Sequence, residues 1–160
     1  MSVTVTWYGH ACFQFQVGGS RLSVDPFYTF NPQAPIGPDD VAAVVILVSH
    51  GHGDHVGDAV AIAKRSGALV IANFEIQNWL AAQGVENTHP MHIGGGRDFN
   101  WGRVKVTMAQ LGSMLPDGRS GGNPGGFLVD LEDKEICDAC DTGLFYGMTL
   151  SGEGGVGVAV

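Results

Sequence analysis

Positive charge is what this chain has least of: 8 Lys and Arg stand against 16 Asp and Glu, a formal net charge of −8 over 160 residues. A nucleic-acid backbone or an anionic membrane surface needs a cationic face, so neither is an expected partner. Cysteine is sparse as well. Three in all are too few for the disulfide framework of a small secreted domain. No apolar run approaches the roughly 20 residues of a membrane-spanning helix. Residues 1–5 alternate like a strand and lack the basic and apolar regions of a signal peptide. Together these absences predict a cytoplasmic protein.

What is present suits one domain over residues 1–160, long enough to bury a real core. Residues 3–8 and 12–17 alternate as strands, Gly18-Gly19-Ser20 reads as a hairpin turn, and residues 21–24 return as a third strand before Asp25. Val44, Val45, Ile46, Leu47 and Val48 form a β-branched run of the kind buried on both faces of a sheet. Asp58 is placed to cap a helix over residues 59–65 that Gly67 stops. Residues 69–72 form another buried strand, and residues 74–83 an amphipathic helix ended by Gly84. Strands follow over 104–108 and 126–131, a turn at 132–134 leads into Ile136 and Cys137, and residues 156–160 read as a further buried strand. Strand-helix-strand-helix in the middle of the chain marks an α/β fold.

The strand at 44–48 runs directly into Ser49-His50-Gly51-His52-Gly53-Asp54-His55. Imidazole and carboxylate are the groups that bind borderline divalent ions, zinc first, with manganese and iron as alternatives. Gly51 and Gly53 let the backbone fold tightly enough for the four side chains to converge. Open α/β sheets also place their sites at the carboxyl ends of strands. A histidine-rich surface loop, or histidines capping the next helix, would give no reason for this spacing at a strand end.

His50-x-His52-x-Asp54-His55 resembles the HxHxDH motif of the metallo-β-lactamase superfamily. Tyr8-Gly9-His10-Ala11-Cys12-Phe13, Val24-Asp25-Pro26-Phe27, Ala72-Asn73-Phe74-Glu75, His89-Pro90-Met91, Gly121-Gly122-Asn123-Pro124 and Asp141-Thr142-Gly143-Leu144-Phe145 extend the likeness. They are similar to a bacterial and archaeal family of metal-dependent hydrolases akin to the ascorbate-6-phosphate lactonases. The resemblance implies the N-terminal part of an αββα sandwich and hydrolysis of a small ester, lactone or phosphorylated compound. It puts His50 and His52 on one metal, Asp54 and His55 on a second, and Asp141 between them. Asp54 would also orient the attacking water and carry its proton. The same likeness sets His10 and Asp25 near the site, although His10 also reads as a buried hydrogen-bonding residue and Asp25 as a turn cap. Asn123 would reach the substrate.

The chain departs from that pattern at three places. The third histidine of the first metal falls at Leu111, which offers no lone pair. The family's usual histidine and glycine before the bridging aspartate are here Asp138 and Cys140. The family also continues beyond position 160, where its last histidine ligand lies. Five expected ligands remain, a set suited to one weakly held ion as much as to two. The competing expectation is a truncated, catalytically impaired metal-binding or interaction module. An apolar strand at the end of the chain should leave a sheet edge uncovered, which predicts a homo-oligomer or a complementing partner chain. Cys137-x-x-Cys140 reads either as a redox or zinc half-site or as two small buried residues. His89 and His92 read as surface residues, and Gly121–Gly126 as a turn between strands.

Overall fold

Phe13, Phe15 and Val17 alternate with Gln14 and Gln16, and a period of two sends the apolar set to one face of a strand. In the structure, a computed structural model that describes residues 2–132, 134–152 and 155–160, this stretch is the second strand of a six-stranded sheet. The strands are β1 (Val3–Trp7), β2 (Phe13–Val17), β3 (Ser20–Val24), β4 (Val45–Leu47), β5 (Leu69–Ala72) and β6 (Thr88–Pro90), side by side in chain order. The first three form antiparallel hairpins, and β3 through β6 run parallel. A second sheet holds β7 (Gly96–Phe99), β8 (Gly102–Met108), β9 (Gly125–Leu131), β10 (Lys134–Asp138) and β11 (Val158–Ala159), in the order β11-β10-β9-β8-β7. It is antiparallel except where β11 lies parallel to β10.

Two apolar layers follow from the alternation. Phe15, Leu22, Val45, Leu47 and Ile71 of the first sheet face Val104, Val106, Phe127, Val129 and Leu131 of the second. On the other face of the first sheet, Ile46, Val48 and Val70 pack on Ile62, Ile76 and Leu80 from α2 (Ala59–Ser66) and α3 (Phe74–Ala82). Val45, Ile46, Leu47 and Val48 are apolar because that strand is covered on both sides, whereas Val44, just before it, is 49% exposed, so the expected burial of the whole run 44–48 is corrected there. Each fully buried Ile, Leu or Phe contributes roughly 2 kcal/mol. The architecture is a helix layer on two stacked sheets.

Helix boundaries obey local chemistry with one exception. Gly67 ends α2 in the left-handed region, and the Asn73 side chain accepts a bond from the Ile76 N–H to start α3. Asp58 precedes α2 but makes no side-chain cap. Its carboxylate instead accepts the backbone N–H groups of Tyr28 and Thr29 and the Thr29 hydroxyl, pinning the long loop after β3. The expected buried strand at 156–160 is corrected too. Only Val158–Ala159 pairs, as an exposed edge, because the one neighbour it finds is β10. Two short helices were not foreseen, α1 (Gly53–Val56) and α4 (Met148–Gly152). Among the described residues no helix is long and apolar enough to cross a membrane.

Asn73 also donates to the Gly121 and Asn123 carbonyls, so one side chain caps α3 and tethers the loop before β9. Asn73→Ala is expected to cost about 2 kcal/mol, a cap plus buried carbonyls left without a donor. Urea unfolding checks this, and a loss near zero would show that the tether is dispensable.

Candidate metal centre

The parallel strands β3 and β4 end side by side, and that register places Asp25 beside Ser49. Asp25 is wholly buried with a left-handed backbone, φ 41°. One of its oxygens accepts the Ser49 N–H at 2.8 Å. The other takes the Ser49 hydroxyl at 2.5 Å and His55 Nδ1 at 2.7 Å. Ser49 Oγ lies 2.9 Å from His50 Nδ1. Both imidazoles are therefore held by their Nδ1 atoms, which turns both Nε2 atoms toward the neighbouring candidates at the strand ends. Groups bonded to the far nitrogen of a histidine commonly orient metal ligands in this way.

Around those Nε2 atoms the other candidates gather. His52 Nδ1 lies 3.0 Å from His50 Nε2. Asp141 Oδ2 is 3.3 Å from His55 Nε2. His10 Nε2 touches both His55 Nε2 and Asp54 Oδ2 at 3.1 Å. His50, His52, Asp54, His55 and Asp141 are thus brought together, and His10 joins them as a sixth donor rather than as a buried spectator. Asp25 sits behind the histidines, not among them, because its oxygens are already committed. Asn123 is not brought in: it is exposed and meets its neighbours through its backbone carbonyl.

His10, like Asp25, has a left-handed backbone, φ 53°, in the turn closed by the Cys12 N–H on the Gly9 carbonyl. A residue of this kind at a positive φ costs on the order of 1 kcal/mol and signals a built position. The sequence signal that could have promoted it was Gly9-His10, a turn residue followed by a ligand type at a strand end.

Electrostatics favour ligation. Burial, followed by the charge of His55, lowers the His50 pKa to about 4, so its ring is neutral with a lone pair to offer. Burial pulls His55 down, but the Asp25 hydrogen bond and charge, with Asp141 and Asp54, outweigh it and leave its pKa above the ordinary value. That is the signature of an imidazole facing more negative charge than it can neutralise. His10, His55 and Asp141 present ligand atoms all within 4.8 Å of one another, and nitrogen with carboxylate oxygen is a donor set that zinc, manganese and iron accept. The residues fit a divalent cation.

Loops from the second sheet close the site. Gly51 donates to Ser113 Oγ at 3.0 Å. A Cβ on Gly51 would stand 3.2 Å from the Leu115 nitrogen and 3.3 Å from the Gly121 Cα, so glycine is needed there for close packing. Gly53 has open space around it, and the expected need for a glycine at that position is not seen. The Asp141 segment is tied to the loop after β8 by the Gln110 N–H on Thr142 Oγ1 and the Gly143 N–H on the Gln110 carbonyl. That loop carries Leu111, 39% exposed, and Gly112, whose added Cβ would lie 4.0 Å from His52 Nε2.

Cys137 and Cys140 do not form a half-site. Cys137 lines a cavity on the outer face of the second sheet with Thr107 and Ala139, whereas Cys140 packs into the layer between the sheets. Burial and the neighbouring Asp138 raise the Cys140 thiol pKa well above normal, so it stays protonated. All three cysteines are free. Asp138 itself is almost wholly buried. Its Oδ1 accepts from the Cys140 N–H and thiol, and its Oδ2 has no partner among the described residues. Burial, with the charge of Asp25, pushes its carboxyl to about 7.

Residues 4–137 match the Beta-lactamase superfamily domain. The chain belongs to that superfamily. It is 52% identical over 151 residues to a metal-dependent hydrolase of Carboxydothermus hydrogenoformans, covering 93% of this chain and 66% of the relative. It is 49% identical over 154 residues to one of Shouchella clausii, covering 93% and 68%. Among solved structures, a metallo hydrolase of the hyperthermophilic archaeon Ignicoccus hospitalis superposes with a TM-score of 0.82 at 28% identity, over 94% of this chain and 66% of that one. This superfamily domain therefore spans about two thirds of the length of the relatives it matches.

Two outcomes test the centre. A carboxyl raised from 3.8 to about 7 favours the protonated form in the folded state. Its stabilising contribution is full below pH 3.8 and is lost as the pH rises through about 7. Asp138→Asn should therefore raise the melting temperature by about 4 °C at pH 8, the gain shrinking toward pH 5; an unchanged melting temperature at pH 8 would count against it. Leu111→His, next in the chain to Gly112 near His52, should raise zinc affinity about tenfold by supplying a third imidazole, measured by competition with a chelator.

Proposed function

We propose that this domain is a metal-dependent hydrolase of a small ester, lactone or phosphorylated compound. The observation that carries the reading is the gathering of His10, His50, His52, Asp54, His55 and Asp141 into one contiguous cluster, with His50 and His55 held from behind by Ser49 and Asp25. His50 and His52 would hold one cation, and His55 and Asp141, with Asp54 or His10, a second. When bound, one or two divalent ions, zinc first and manganese or iron otherwise, supply Lewis acidity and lower the pKa of water.

The chain's own groups divide the remaining work. Asp54 is half-exposed and anchored by His10 Nε2, a carboxylate open to solvent that would take the proton of an attacking water. His10 fixes the direction of that carboxylate. The Asp25–Ser49 pair prevents the buried rings from turning, and burial with the charge of His55 keeps His50 neutral. The ester, lactone or phosphoryl class rests on the motif resemblance to the lactonase-like hydrolases. A reducing compartment such as the cytoplasm suits three free thiols.

Leu111 favours a second reading, a metal-binding module with little turnover, because by the motif resemblance it occupies the position of the family's third imidazole. Metal analysis combined with assay of generic aryl ester, lactone and phosphodiester substrates separates the two. The hydrolase reading expects turnover that EDTA removes and zinc or manganese restores. It also expects His52→Ala to abolish that turnover and Asp54→Asn to lower it about 100-fold or more. Turnover that survives His52→Ala would sink the assignment of the site, and bound metal without turnover would favour the module.

A further inference from the structure

A sheet edge offers a row of unpaired backbone N–H and C=O groups, and folded chains guard such edges with brevity, charge or proline. Among the described residues, three of the four sheet edges are guarded in this way. β6 has three residues and ends in Pro90, which has no N–H to give. β7 carries Arg97 and Asp98, and β11 has only two residues. β1 has none of these devices. It runs for five residues, Val3-Thr4-Val5-Thr6-Trp7, and none of them is buried. Among the described residues it pairs with β2 alone. It also lies in an uncharged stretch: residues 1–20 contain no Asp, Glu, Lys or Arg, in a chain of net charge −8.

Charge and residue pattern both select a second copy of β1 as the occupant of this edge. Two chains of net charge −8 repel each other, and the hairpin of β1 and β2 is a surface on which they meet without like charges. The pattern is self-complementary. Laid antiparallel on its own copy about Val5, the strand sets Thr4 against Thr6, Val3 against Trp7 and Val5 against Val5. Thr–Thr and aromatic–β-branched pairs are among those that favour antiparallel pairing. Val3, Val5 and Trp7 share one face by the period of two, and there Val5 is 37% and Trp7 56% exposed. The Trp7 Nε1–H already donates to the His10 carbonyl at 2.8 Å, so covering the indole strands no donor.

We propose that β1 is a homodimer edge, at which two copies pair antiparallel about Val5 and join their six-stranded sheets into one. The contact is isologous, so it closes on itself and does not propagate. Five residues from each copy make a small patch, and the dimer is accordingly reversible and dependent on concentration.

The test is analytical ultracentrifugation of the full chain over about 5 to 500 μM, joined to cysteine cross-linking. The unsubstituted chain should show a monomer–dimer equilibrium. Val5→Lys, which opposes two like charges at the axis, should weaken it about tenfold or more. Thr4→Lys combined with Thr6→Lys should do the same, whereas Thr4→Glu combined with Thr6→Lys sets opposite charges face to face and should keep the dimer. Val5→Cys should give a disulfide-linked dimer on mild oxidation, because facing residues of an antiparallel pair lie about 4.5–5.5 Å apart. Thr4→Cys should not, since its two copies stand about 7–8 Å apart on the diagonal. The unsubstituted chain, whose three cysteines are free, is the control for both. Circular dichroism checks that each variant folds, and the Val5→Cys cross-link decides if a lysine variant does not. A monomer at the highest concentration, or a dimer that survives Val5→Lys, overturns the proposal. So does a dimer that Val158→Lys abolishes and Val5→Lys does not, which would place the interface on β11.

Discussion

Asp25 is a carboxylate with no exposure to water, and such a group is tolerated only when its oxygens are fully bonded. Its partners are the Ser49 N–H, the Ser49 hydroxyl and His55 Nδ1. Those bonds join the end of β3, the end of β4 and the short helix α1. They also decide which nitrogen of His55 faces the cavity, and Ser49 decides the same for His50. Without this buried knot the two rings, 3.9 Å apart between centroids, would have no reason to present Nε2 atoms to a common centre.

The two-sheet stack explains why the cluster is assembled from distant parts of the chain. The first sheet contributes the turn after β1 and the loops after β3 and β4. The second contributes the loops after β8 and β10. The apolar layer between the sheets brings those loops to one edge, and specific contacts lock them there: Gly51 against Leu115 and Gly121, Ser113 on Gly51, and Thr142 on Gln110. Asn73 supports the same edge from below by holding the loop that carries Gly121. Asp138 lies among the buried groups at this edge, and its Oδ2, like Glu135 Oε1, has no partner among the described residues.

Local pattern was a good guide wherever one interaction dominates. Alternation located β2 and β8, the β-branched run located β4, and Gly67 ended its helix as a left-handed glycine should. It was a poor guide where a side chain had a choice of partners. Asp58 could cap α2 or bind the loop after β3, and three donors outweighed one. Residues 156–160 are apolar enough for a buried strand, yet burial needs a neighbour on each side and a covered face, which propensity does not count. Cys137 and Cys140 are three apart in sequence, but they point to opposite sides of the second sheet.

The sequence by itself determined the ligand chemistry: the spacing of His50, His52, Asp54 and His55 at the end of an apolar strand fits a metal loop better than it fits anything else. It also determined the α/β order of the elements, since the change from period two to helical period is written in consecutive residues. Only the tertiary structure decided that the His10 ring meets His55 and Asp54 and that the Asp25 oxygens are bonded to Ser49 and His55. Those assignments depend on distances between residues up to 45 positions apart, and such distances are set by how the two sheets stack, not by any local pattern.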